Sequence, residues 1–87
     1  MIKLIEFHAD WCSPCQTMKL IVADLEKSLA GKVEFSQVNV DTQMEIAQKY
    51  SIMSIPTFVL EKEGIEVGRK TGAISREAME IWLNSYL

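Results

Sequence analysis

Two strand-like segments separated by one amphipathic helix constrain the fold of this chain more than any other feature. Ile2–Phe7 is a short, mostly apolar run, and Val33–Val40 is a second run rich in valine. Between them, apolar side chains recur at steps of three and four residues, the spacing of one helical face: Met18, Ile21, Val22, Leu25 and Leu29. A strand, a helix and a strand in succession predict a parallel strand pair with a right-handed crossover.

The second half of the chain adds a short helix, a hairpin and a final helix. Thr42 and Glu45 have the spacing of a capping box at the start of the short helix. Thr57–Leu60 and Ile65–Thr71 predict the two strands of the hairpin. The final helix is predicted from an apolar face made of Ala78, Met79, Trp82, Leu83 and Tyr86. The predicted order is therefore β-α-β-α-β-β-α, an α/β fold with a mixed four-stranded sheet flanked by helices.

Length and charge limit the classes of partner. The chain has 87 residues, so we predict a single domain over residues 1–87. Its 9 basic and 12 acidic residues give a net charge of −3 without a cluster of cations, which argues against nucleic acid and anionic membranes as partners. The longest apolar stretch, residues 20–23, is too short to span a bilayer, and no signal peptide is visible. We therefore expect a cytoplasmic protein.

The only two cysteines, Cys12 and Cys15, lie three positions apart. Disulfide-stapled secreted domains usually carry more cysteines, and a bridge that closes so short a loop constrains the unfolded chain little. A structural zinc ion needs four ligands, and the only other soft ligand is His8, so we expect no metal site. The remaining interpretation is a redox-active pair.

The position of Cys12 at the start of the first helix predicts how the pair works. Pro14 suits the first turn of a helix, where its missing N–H costs nothing. The helix start favours a thiolate at Cys12 and lowers its pKa, whereas Cys15 is expected to be less accessible. Cys12 is thus predicted to form a mixed disulfide with the substrate, which Cys15 then resolves. The dithiol carries both electrons, so no cofactor is expected, and Ser13 and Pro14 are expected to tune its redox potential.

The sequence resembles the thioredoxin family over nearly its whole length. The motif Trp-Cys-Ser-Pro-Cys at residues 11–15, preceded by Phe7-x-Ala9, resembles the active site of the family. Residues 38–41, 54–57 and 71–73 resemble the end of its next parallel strand, its cis-proline loop and its final substrate-side loop. The resemblance implies a monomer with a thioredoxin-like fold that reduces protein disulfides and receives electrons from a thioredoxin reductase-like donor.

The resemblance also implies a substrate-binding surface around Cys12. It predicts a cis peptide bond between Ile55 and Pro56, which would bring Pro56 against the sulfurs and leave the Ile55 backbone free to pair with a substrate peptide. An apolar rim beside the nucleophile would suit the docking of proteins. The residues expected to form this surface are Trp11, Ser13, Pro14, Ile55, Pro56, Gly72 and Ala73.

Two titratable residues near the motif have more than one interpretation. Glu6 interrupts an apolar strand and either reaches solvent at its end or lies buried beneath Cys15 as a proton acceptor. The family often has a buried aspartate there, so the resemblance favours the catalytic role. His8 is expected either to be a rim residue without chemistry or to support the Cys12 thiolate by its charge.

The chain departs from the family pattern at several positions. The family usually has a further strand and helix before Ile2, which would leave one edge of the sheet exposed here. Ser13 replaces a glycine, His8 stands where an aromatic residue is frequent, and Gln37 stands where a lysine is common. These departures leave the redox potential, the proton transfer and the matching reductase open.

Other functions also remain open from the sequence. A glutaredoxin-like or disulfide-isomerase-like thiol enzyme would use the same two cysteines, although glutathione binding calls for basic residues near the site and none is obvious. A non-catalytic thioredoxin-fold binding module, or a subunit whose thiolates share a bridging metal with another chain, would not turn over a disulfide.

Overall fold

Seven elements of secondary structure follow one another in the computed structural model, which describes residues Met1 to Leu87. They are β1 (Ile2–His8), α1 (Ser13–Ser28), β2 (Val33–Asn39), α2 (Met44–Lys49), β3 (Thr57–Lys62), β4 (Ile65–Thr71) and α3 (Arg76–Asn84). The predicted order β-α-β-α-β-β-α is confirmed. None of the helices has the length and apolar character needed to cross a membrane.

The four strands form one mixed sheet in the order β2-β1-β3-β4. β1 and β2 are parallel, with Glu6 opposite Gln37, and α1 provides the crossover between them. β3 runs antiparallel to both β1 and β4. The predicted parallel pair and hairpin are thereby confirmed, and the carboxyl ends of β1 and β2 lie at the same edge of the sheet.

The two faces of the sheet carry hydrophobic clusters of unequal size. On one face α1 and α3 contribute to a cluster of 11 buried residues, which includes four of the predicted α1 positions, Met18, Val22, Leu25 and Leu29. On the other face a cluster of 5 buried residues comprises Ile5, Phe7, Val38, Ala47 and Val59. Successive side chains of β1 alternate between these faces, so Glu6 lies on the side of α1.

Two details of the predicted helices are wrong. Thr42 does not cap α2, because its hydroxyl donates to the Asn39 carbonyl and the Asn39 side chain accepts the backbone N–H groups of Asp41 and Thr42. This turn ends before the helix, whose N-cap residue is Gln43, without a side-chain hydrogen bond. Ala78 is exposed on α3, because the buried face of that helix is centred on Met79 and Leu83.

Candidate functional site

A disulfide between Cys12 and Cys15 lies where β1 leads into α1. Cys12 is the N-cap residue of α1, with an extended backbone, and Pro14 occupies the first turn. The Cα atoms of the two cysteines are 5.2 Å apart, a normal separation for a disulfide. One helical turn therefore brings the two sulfurs together.

The first turn of α1 acts unequally on the two sulfur atoms. The backbone N–H of Cys15 donates a hydrogen bond to Cys12 Sγ over 3.2 Å, and no acidic residue lies in this turn. The unpaired amides and the positive end of the helix dipole stabilise a negative charge at this position. In the reduced protein, this turn therefore favours the thiolate of Cys12.

Solvent exposure does not distinguish the two cysteines. Cys12 is 4% exposed and Cys15 is 2% exposed in the disulfide form. The prediction that Cys15 is less accessible than Cys12 is therefore not confirmed by the solvent exposure of the oxidised pair. The assignment of Cys12 as the nucleophile depends instead on the amide that its sulfur accepts.

Glu6 is buried beneath the start of α1, so the solvent-exposed interpretation of this residue is wrong. Its side chain is 1% exposed, Gln37 Nε2 donates to Oε1 over 3.3 Å, and Oε2 has no hydrogen-bond partner. Burial raises the pKa of Glu6 from 4.5 to about 7, although the hydrogen bond from Gln37 and the positive charge of Lys19 oppose the rise. The carboxyl group can therefore take up and release a proton near neutral pH.

A narrow cleft places Glu6 and Cys15 on a common surface. Its lining residues are Glu6, His8, Asp10, Cys15, Gln16, Lys19 and Gln37. Cys12 does not line this cleft, so the carboxyl group lies on the side of the predicted resolving sulfur. His8 lies in the same cleft, which joins it to the Glu6 and Cys15 side of the site.

An apolar groove lies on the other face of the sheet, beside Trp11. It has a volume of about 370 Å³ and is lined by Trp11, Val40, Ala47, Ile52, Met53, Ser54 and Ile55. Trp11 is 71% exposed, and its indole Nε1–H donates to Asp41 Oδ2 over 2.9 Å. Met53 is 95% exposed. The groove thus offers exposed apolar side chains, and one of them, Trp11, is next to Cys12 in sequence.

The structure also joins the two predicted substrate-side loops. The Ile55–Pro56 peptide bond is cis, as the resemblance implied. The backbone N–H of Gly72 donates to the Pro56 carbonyl over 2.8 Å, and the Thr57 hydroxyl donates to the Ser54 carbonyl over 2.7 Å. The end of β4 therefore lies directly beside the segment before β3.

The predicted substrate-binding residues are only partly brought together. Trp11 and Ile55 share the apolar groove, and Gly72 is joined to Pro56, but Gly72 and Ala73 do not line the groove. Ser13 and Pro14 are exposed in the first turn of α1, and Ala73 is exposed after β4. Their contact with substrate stays a prediction.

Four groove residues were missed by the sequence interpretation, namely Val40, Ala47, Ile52 and Met53. Ile52 and Met53 are apolar residues in a segment without helix or strand, directly before Ser54. These two apolar residues were the only sign of the groove in the sequence, because the groove forms only where this segment approaches Trp11.

Comparison with known proteins identifies the family. The chain matches the sequence model of the family described as Thioredoxin over residues 1–85. It belongs to the thioredoxin family. Thioredoxin of Rickettsia bellii is 38% identical over 82 residues, which cover 94% of this chain and 78% of that protein. Thioredoxin of Bacillus subtilis is 33% identical over 86 residues, which cover 99% of this chain and 83% of that protein.

Solved structures agree with the thioredoxin fold. The X-ray structure of Fasciola hepatica thioredoxin superposes with a TM-score of 0.92 at 36% identity, over 99% of this chain and 81% of that one. The predicted fold is thereby confirmed. Membership of the thioredoxin family and the Cys12–Cys15 disulfide make the protein a dithiol–disulfide oxidoreductase, which confirms the predicted class of function.

Proposed function

We propose that this thioredoxin-family protein reduces disulfide bonds in other proteins with the electrons of its Cys12–Cys15 dithiol. The observation that carries the proposal is the position of the pair at the start of α1, with Glu6 in the cleft beside Cys15 and the apolar groove beside Trp11. The groove for substrate docking and the carboxyl group for proton transfer then both lie beside the two sulfurs that transfer the electrons.

In the first step, the Cys12 thiolate attacks one sulfur of the substrate disulfide. A bond forms between Cys12 Sγ and that sulfur, the substrate disulfide breaks, and its second sulfur leaves as a thiolate. The hydrogen bond from the Cys15 amide to Cys12 Sγ supports this role, since it favours the charged form of the attacking sulfur.

In the second step, Cys15 attacks Cys12 Sγ and releases the remaining substrate sulfur as a thiolate. The Cys15 thiol must first lose its proton, and Glu6 is the buried carboxyl group that shares its cleft. A pKa raised by burial to about 7 suits a general base that works near neutral pH. The substrate gains two electrons, and the protein is left with the Cys12–Cys15 disulfide.

The apolar groove is the proposed docking surface for the substrate chain. Trp11 and Ile55 line the groove. Ile55 is joined to Pro56 by the cis peptide bond, and the backbone N–H of Gly72 donates to the Pro56 carbonyl. An extended substrate segment would pair with the Ile55 backbone and lie against Gly72 and Ala73, with the buried Pro56 behind it. Apolar side chains that flank the substrate cysteine would enter the groove.

Regeneration of the dithiol requires an electron donor. We propose a thioredoxin reductase-like partner and a cytoplasmic location, where thiols are kept reduced. The dithiol itself holds both electrons, so the proposed reaction involves no prosthetic group or metal.

Reduction of insulin with dithiothreitol as the electron source tests the proposal. The parent protein should accelerate insulin reduction, Cys12→Ser should abolish the acceleration, and Cys15→Ser should accumulate a mixed disulfide with the substrate. Thr17→Ala, at an exposed position of α1, is the control and should keep turnover. Retained turnover in Cys12→Ser, or a mixed disulfide formed through Cys15, would contradict the proposed roles. Turnover only with glutathione-linked substrates would favour a glutaredoxin-like enzyme.

The role of Glu6 is tested by measuring the two steps separately. Glu6→Gln should slow release of the mixed disulfide about a hundredfold, the lower end of the range for loss of a general base, and leave the first attack unchanged. Stopped-flow fluorescence of Trp11, which is next to Cys12, reports both steps. Equal slowing of the two steps would remove Glu6 from the mechanism.

A further inference from the structure

The proton that Glu6 accepts must leave the protein before the next cycle, and the structure restricts its route. Glu6 is 1% exposed and its Oε2 has no hydrogen-bond partner. Its other oxygen accepts from the neutral amide of Gln37, which cannot carry a proton at neutral pH. A second titratable group that reaches from the cleft to solvent would give this proton a route to bulk water.

His8 lies where such a group is required. It is the last residue of β1, two positions after Glu6, so both side chains lie on the α1 face of the sheet and line the same cleft. His8 is half-buried, whereas Glu6 is fully buried, so His8 reaches from the cleft towards solvent. Its backbone carbonyl accepts the Val40 N–H over 2.8 Å, which fixes the end of the strand.

The other charged groups that face the cleft are less suited to this task. Asp10 follows β1 in the loop, and Lys19 and the Cys15 sulfur come from α1. The β2 residue in the cleft is the neutral Gln37, and the β3 residue opposite Glu6 is Phe58. An exposed carboxylate stays ionised and an exposed ammonium stays protonated near neutral pH, whereas an imidazole both accepts and donates a proton there.

We propose that His8 relays the proton between Glu6 and solvent in the second step of the reaction. This inference rests on the proposed role of Glu6. The Cys15 thiol gives its proton to the Glu6 carboxylate, the Cys15 thiolate forms the disulfide with Cys12, and the protonated Glu6 passes its proton to neutral His8. The resulting imidazolium releases the proton to water. His8 acts on the reaction only through Glu6.

The test measures both steps in His8→Ala, alone and combined with Glu6→Gln. In the parent background His8→Ala should slow the second step about fivefold, part of what a general base contributes, and leave the first step unchanged. Added imidazole should restore the second step. In the Glu6→Gln background, His8→Ala should cause no further loss, because glutamine does not accept a proton that His8 could carry to solvent. His8→Gln, which keeps a polar side chain, should behave like His8→Ala.

Asp10→Asn is the control within the same cleft and should change neither step. The relay is contradicted if His8→Ala leaves the second step unchanged, if imidazole does not restore it, or if the loss is equal in both backgrounds. If Glu6→Gln slows the second step but the His8 variants do not, only the relay fails. If Glu6→Gln has no effect, the proposed role of Glu6 fails and the relay fails with it. An unchanged first step in each variant shows that the site remains folded.

Discussion

At the scale of single residues, the positions of Cys12 and Glu6 in the fold favour opposite charge states. Cys12 Sγ lies at the start of α1 and accepts the Cys15 amide, which favours its charged form. Glu6 is enclosed between the sheet and α1 with one oxygen unpartnered, which favours its neutral form. We expect the nucleophile to be ionised, and its proton acceptor to be available, over the same range of neutral pH.

The raised pKa of Glu6 also predicts how stability depends on pH. In the unfolded chain the carboxyl group returns to its ordinary pKa of 4.5, against about 7 in the folded protein. Between these values the folded state binds more protons, so the free energy of unfolding falls as the pH rises from 4.5 through 7, by roughly 3 kcal/mol in total. Glu6→Gln should remove this fall, so its free energy of unfolding should compare more favourably with that of the parent at pH 8 than at pH 4.5.

Chemical unfolding at both pH values, for the parent and the variant, measures this difference. Glu26→Gln, a substitution at an exposed position of α1, is the control and should keep the pH dependence of the parent. The same decline with pH in the parent and in Glu6→Gln would show that the burial of this carboxyl group has no energetic consequence.

At the scale of secondary-structure elements, Gly68 sets the distance between β4 and α3. A Cβ atom at this position would lie 3.3 Å from Trp82 Cζ2 and 3.3 Å from the Tyr86 hydroxyl oxygen. The Tyr86 hydroxyl donates to the Val67 carbonyl over 3.2 Å, and Lys70 Nζ lies 5.3 Å from the centroid of the Trp82 ring. The aromatic side chains of Trp82 in α3 and of Tyr86 just after it thus occupy the space that a side chain at residue 68 would need.

We therefore predict that Gly68→Ala lowers the free energy of unfolding by about 1 kcal/mol, the lower end of the range for overpacking. The loss should be smaller in a Tyr86→Phe background, because phenylalanine lacks the crowded oxygen. Denaturant titration of the four proteins of this cycle gives the coupling. A stabilising Gly68→Ala, or a loss independent of residue 86, would contradict this account of the packing.

The sequence predicts elements better than it predicts their ends and their tertiary neighbours. The helical spacing of Met18 to Leu29 predicts the buried face of α1. Pro14 predicts the helix start, and with it the position of the cysteine pair in the first turn. The capping box fails because the Asn39 side chain competes locally for the amides before α2. Periodicity could not decide the burial of Glu6, because that burial depends on where α1 begins above the strand.

The apolar groove shows the same limit. Trp11 and Ile55 are predicted as rim residues because exposed apolar surface beside a nucleophile suits recognition, but Val40, Ile52 and Met53 join them only through tertiary contact. Their exposure results from how few residues of α2 cover this face of the sheet. A local sequence pattern does not contain that information.

At the scale of the whole molecule, the sheet is covered more heavily on one face than on the other. α1 contributes four buried residues, including Met18 and Leu25, and α3 contributes Met79 and Leu83. α2 has 6 residues, contributes Ala47 alone and lacks a side-chain cap. The thinly covered face is the one that carries the apolar groove, so we expect that substrates dock on the less rigid side of the molecule.

Native-state hydrogen exchange tests this asymmetry. The amides of α2 should exchange through local openings of lower free energy than those of α1 or β1, because fewer buried contacts hold the helix in place. α3, which is also short but is capped by the Ser75 side chain, is the internal comparison. Protection of the α2 amides equal to that of β1 would contradict the proposed difference between the two faces.

The ionisation of Cys12 in the reduced Cys15→Ser protein tests whether the start of α1 stabilises the attacking thiolate. This variant keeps the backbone N–H that donates to Cys12 Sγ and removes the second thiol, so thiolate absorbance reports Cys12 alone. We predict that the folded protein forms the thiolate at a lower pH than the same protein unfolded in guanidinium, where the pKa should lie near the ordinary value of about 8.5. Coincident titration curves for the folded and unfolded protein would contradict it.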